Sequence, residues 1–160
     1  MGQLPILKCG DQQLCQSVAI ARFAAREAGL LGQSSCEQAL ADMYVDGIGD
    51  MYPTFRPVIL ALFAGDMDKK DQEYANFKKD KLLPFMDMYE KFLASNGTGF
   101  IVGKQLTWAD LAVAEFLNRI QVCLDPAVLD NHPGLKKHHD MVHSLPNLKE
   151  YIESRKKYSI

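Results

Sequence analysis

From Cys36 onward the apolar residues recur at three- and four-residue spacing throughout, which restricts most of this 160-residue chain to helices packed on helices. Leu40, Met43, Tyr44, Ile48, Met51 and Tyr52 predict a long helix over about 36–64, with Pro53 and Pro57 bending or interrupting it. The mixed-charge run Asp66–Asp71 predicts a solvated linker, and Tyr74, Phe77, Leu82, Phe85, Met88, Tyr89 and Phe92 a second helix over about 71–95, kinked at Pro84. Asn96-Gly97-Thr98-Gly99 stops it. A third helix is expected over Trp108–Cys123, and a short one after Asp125-Pro126. The last two are expected over about 134–144 and from Pro146 to about Lys156.

The first 30 residues follow another pattern. Pro5–Cys9 is a short apolar run, Gly10-Asp11 a turn, and Gln12–Cys15 a return strand. Ser17 suits the N-cap of a helix that carries Val18, Ile20, Ala21, Ala24, Ala25 and Ala28 and ends at Gly29. Leu30-Leu31-Gly32-Gln33-Ser34 reads as a linker. The architecture expected is mainly α, with a β-hairpin and one helix leading into five or six further helices.

Net charge is −2, from 18 Lys and Arg against 20 Asp and Glu, so nothing points to nucleic acid as a partner. No apolar run is long enough to insert in a membrane, and residues 1–5 lack the basic start and apolar stretch of a secretion signal. Cys9, Cys15, Cys36 and Cys123 show no paired spacing and are expected as reduced thiols in a cytoplasmic protein. His139 and His143 stand four apart beside His138 and Asp140, but no further ligand set is spaced to complete a metal site, and no metal is expected.

Three short constellations carry more information. Gln3-Leu4-Pro5 stands before the first strand; a cis peptide there would turn the Leu4 N–H and C=O outward, ready to pair with an extended peptide ligand. Gln16-Ser17 stands at a helix start, where free N–H groups, the positive dipole end, a hydroxyl and an amide suit a carboxylate. Thr107 and Asp110 have the spacing of a capping box, flanked by Leu106 and Leu111 as a hydrophobic staple. That third motif serves folding.

The runs Gly2–Leu7 and Gln16–Arg22, with the Gly103–Asp110 cap that follows, are similar to the pattern of glutathione transferases, and resemble most the sigma class in its nematode-like form. The resemblance extends over the whole chain. It implies a partial thioredoxin-like glutathione-binding domain over residues 1–30 and the all-α C-terminal domain over 31–160. It also implies that Gln3 meets the glycyl end of glutathione, that the Leu4 backbone pairs with the cysteinyl residue, and that Gln16 and Ser17 hold the γ-glutamyl carboxylate. Asp50 is the nearest candidate for an acidic residue that reaches the γ-glutamyl amine in a partner subunit. Met51 and Phe55 are assigned to the apolar electrophile pocket.

The implied activity is attack of the glutathione thiolate on electrophilic small molecules, a detoxifying reaction, in a homodimer with glutathione as co-substrate. In the family the residue that activates the sulfur is a tyrosine on an opening β–α–β unit. None of the six tyrosines here fills that position, so no catalytic residue is assigned. A non-catalytic binding or structural protein, as in the lens crystallins of this class, and a prostaglandin D isomerase remain open alternatives.

Overall fold

A computed structural model describes residues 2–155. The chain is mostly helical. A two-stranded antiparallel sheet opens it, formed by β1 (Ile6–Cys9) and β2 (Gln12–Cys15) around Gly10-Asp11, with Ile6 opposite Cys15 and Cys9 opposite Gln12. Helix α1 (Ser17–Glu27) follows, then α2 (Ser35–Gly49), α3 (Tyr52–Ala64), α4 (Met67–Phe77), α5 (Leu83–Asn96), α6 (Trp108–Cys123), α7 (Pro133–His143) and α8 (Pro146–Ser154). Lys156, the expected end of the last helix, lies outside the described residues.

The prolines explain where the expected long helices divide. Pro53 lies in the first turn of α3, where its missing N–H costs nothing, and its ring cannot continue the α2 ladder. One 36–64 helix therefore becomes α2 and α3, with Pro57 tolerated inside the second. Pro84 acts one helix later. It cannot donate to the carbonyl of Asp80, and α4 passes into α5 through a single π-helical turn, Lys78–Leu82. The linker expected over Asp66–Asp71 shrinks to two residues. Gly65 ends α3 in the left-handed region at φ 72, and the Asp66 carboxylate accepts the Lys69 N–H at 3.1 Å, so α4 starts at once. After Asp125-Pro126 there are successive i→i+3 turns rather than a short helix.

Helix α6 is the centre of the fold. Ala109, Val113, Leu117 and Ile120 are fully buried at spacings of four, four and three, and Trp108, Asp110, Ala114 and Phe116 are buried with them. Its buried face is broad, while Arg119 and Val122 remain exposed, and α6 packs against both α2 and α7. Around it Phe85 stacks on Tyr89 with ring centroids 4.0 Å apart and meets Phe116 edge-on at 5.6 Å.

The Thr107–Asp110 capping box forms as expected at the start of α6. Its carboxylate does more than cap. Asp110 Oδ2 accepts the Thr107 N–H at 2.7 Å and the Thr107 hydroxyl at 2.9 Å; Oδ1 accepts the Ile101 N–H at 2.8 Å and lies 2.9 Å from His138 Nε2 on α7. One buried group thus joins a helix start, the loop before it and a neighbouring helix. Glu90 on α5 caps α7 from across the fold, accepting the Gly134 and Leu135 N–H groups at 2.6 and 2.8 Å. A Cβ at Gly134 would come within 2.6 Å of that carboxylate, so a larger residue there would displace the Glu90 cap.

Candidate polar cleft at the start of α1

The hairpin and α1 meet in a small polar cleft of about 190 Å³, lined by Gln3, Leu4, Pro5, Cys15, Gln16 and Ser17. Four of these are residues to which the family resemblance gives a glutathione contact. The Leu4–Pro5 peptide bond is cis, and Leu4 is 87% exposed.

Ser17 is the first helical residue and not the N-cap; that place belongs to Gln16. Gln16 has φ 74 and ψ 111, and no other non-glycine among the described residues has a positive φ. Such a backbone costs on the order of 1–3 kcal/mol and persists only where the surroundings enforce it. Ser17 opens α1 beside this cleft, so the free N–H end of the helix lies at its lining. The lining combines an amide side chain, a hydroxyl and a helix N-terminus, a donor set that suits a carboxylate.

Asp50 stands apart from this cleft. It caps the C-terminus of α2 and is exposed. Met51 and Phe55 are 5% and 8% exposed and belong to the core, with Phe55 against Phe77 and Phe116. Neither lines the polar cleft or the larger groove beside it; the α2–α3 junction turns both inward, a consequence of where Pro53 divides the helix. That groove, of about 570 Å³, is apolar and is bounded by α1, α2, the start of α3 and α6, with Ala21, Ala28, Ile48, Tyr52, Trp108 and Phe116 among its walls. Ser17 touches both the groove and the polar cleft.

Two features of this region have little signal in the sequence. Cys15 lines the cleft because it is the last residue of β2, which no motif marks. Arg22 belongs to the run that carries the family resemblance, but nothing in the run discloses its partners. Its Nε lies 2.9 Å from Asp42, one terminal nitrogen lies 3.2 Å from Asp46, and its guanidinium carbon stands 5.1 Å over the Trp108 ring.

Among the described residues no group of three or more His, Cys, Asp or Glu is placed to hold a metal ion, and no helix is long and apolar enough to cross a membrane. The four cysteines are unpaired.

Residues 53–155 match the glutathione S-transferase C-terminal domain family. The chain is 39% identical to glutathione S-transferase 1 of Ascaris suum over 159 residues, which are 98% of this chain and 75% of that one. It is 37% identical to the probable glutathione S-transferase 9 of Caenorhabditis elegans over 158 residues, 96% of this chain and 74% of that one. Among solved structures it superposes with a TM-score of 0.88 on a monomeric glutathione S-transferase of the hookworm Necator americanus, at 32% identity over 99% of this chain and 77% of that one.

Proposed function

Because the chain belongs to the glutathione S-transferase family, we propose that its polar cleft holds glutathione, whose thiolate attacks an electrophilic small molecule. The observation that carries this reading is the convergence of Gln3, Leu4, Gln16 and Ser17 on one cleft at a helix start. The γ-glutamyl carboxylate meets the Ser17 hydroxyl, the Gln16 amide and the first-turn N–H groups of α1. The exposed Leu4 backbone pairs with the cysteinyl residue, and Gln3 takes the glycyl end. The thiolate is the nucleophile, and these contacts hold the peptide that carries it.

The run Gln16–Arg22 supports placement in the sigma class, and removal of toxic electrophiles in the cytoplasm is the role that goes with it. The working unit we propose is a homodimer in which the exposed Asp50 of one subunit approaches the γ-glutamyl amine bound by the other.

Calorimetric titration of glutathione into the parent and Ser17→Ala proteins tests the cleft. A hydrogen bond to a charged group contributes about 1.5–3 kcal/mol, so the variant should bind about tenfold more weakly or worse. Equal affinities would remove the assignment.

A further inference from the structure

The helix that carries the cleft is loosely seated. Helix α1 turns Ala21, Ala24 and Ala28 toward the α2–α6 side, where the groove of about 570 Å³ separates it from the helical body. Among the α1 residues only Ala25 is buried. Small side chains around an open groove leave the tilt of α1 weakly specified, because dispersion contacts fall off steeply across a gap. Two polar ties do specify it. Three residues beyond its C-terminal end the Leu30 carbonyl accepts the backbone N–H of Trp108 at 2.8 Å. In its middle, Arg22 binds Asp42 and Asp46 of α2 and covers the face of Trp108.

We propose that Arg22 is a positioning residue for the cleft: by clasping α2 and the start of α6, it fixes where the first turn of α1 stands, and with it Gln16 and Ser17. Arg22 is five residues from Ser17, so the clasp acts about 7.5 Å along the axis from the carboxylate site. The partners suit the task. Asp42 and Asp46 stand one helical turn apart on one face of α2, and a planar guanidinium meets both at once through different nitrogens while its own face lies on an indole. An ammonium presents a single point of charge and cannot hold that arrangement. The Arg22 side chain is 28% exposed, so its ion pairs alone add little to global stability, and its effect falls on orientation.

The inference rests on the reading that the cleft takes glutathione, and the test separates the two. Glutathione is titrated calorimetrically into the 160-residue chain and its Arg22→Gln, Arg22→Lys and Ser17→Ala variants. Thermal midpoints and the emission of Trp108, the one tryptophan, are recorded alongside. Arg22→Gln should weaken glutathione roughly tenfold, the equivalent of misaligning one charge-assisted hydrogen bond, and should shift the Trp108 emission while the midpoint stays near the parent's. Arg22→Lys should recover part of the affinity.

A purely structural Arg22 would lower the midpoint and leave the affinity unchanged, and that result overturns the proposal. If Ser17→Ala weakens binding while Arg22→Gln does not, the clasp is wrong and the cleft stands. If neither change matters, the cleft reading falls and the clasp with it. Should Arg22→Gln fail to fold, Asp46→Asn takes its place, with a smaller loss of affinity expected and an unchanged affinity again overturning the proposal.

Discussion

Asp110 shows how much one side chain holds. Its carboxylate is fully buried and faces four donors: the N–H groups of Ile101 and Thr107, the Thr107 hydroxyl and His138 Nε2. Each buried donor left without a partner costs about 1–3 kcal/mol. Asp110→Ala should therefore destabilise the protein by at least about 3 kcal/mol, well beyond the loss of an ordinary helix cap at about 1 kcal/mol. Urea unfolding checks this; a loss near 1 kcal/mol would mean that only the cap matters. The capping box itself is legible in the sequence. The bonds to Ile101 and His138 are not, because they join residues 9 and 28 positions away whose approach depends on how α6 and α7 pack.

At the scale of elements, α7 carries a pH response. His139 is buried between Asp140, whose carboxylate is 3.0 Å from Nδ1, and His143, whose ring centroid is 4.2 Å away; Asn118 on α6 approaches Nε2 at 3.4 Å. Burial pushes the imidazole below its ordinary value. Asp140 opposes that shift, while His143 and Lys136 add to it. The unfolded chain thus binds this proton more readily than the native one, and the stability contributed by neutral His139 is present above about pH 6.5 and lost as pH falls through the lowered native value. The thermal midpoint should fall between about pH 7 and pH 5, and fall less in His139→Gln. Identical pH profiles for the two proteins would contradict the assignment. The sequence places α7 to within a residue but presents its histidines only as metal candidates, since spacing alone does not disclose burial.

For the whole molecule the property of greatest consequence is assembly. The hookworm relative is a monomer. In this chain α2 exposes Leu40 and Met43 at 37% and 51%, on the helix that ends at Asp50. We expect a homodimer by light scattering, and expect Asp50→Asn to leave the fold and the dimer intact while weakening glutathione by about 1.5 kcal/mol or more through loss of one charged contact. A monomer whose glutathione affinity is indifferent to Asp50→Asn would remove that residue from the site.

Local rules are sufficient for whatever depends on neighbours in the chain. The hairpin around Gly10-Asp11, the α6 cap and the breaks at the prolines all follow from residues within a turn or two of one another, and the sequence by itself determines them. Even there the competition between rules is decided by the fold: Asp66 caps a helix instead of opening a linker, and Gln16 takes the N-cap position for which Ser17 is chemically suited. The cleft is readable as a set of residues but not as a shape, since Gln3 and Ser17 meet only through the pairing of β1 with β2. The burial of Met51 and Phe55, the groove beside α1 and the Arg22 clasp are decided by tertiary packing alone. Helical periodicity marks which residues are apolar, while the crossing of one helix over another determines which of them face a cavity and which fill the core.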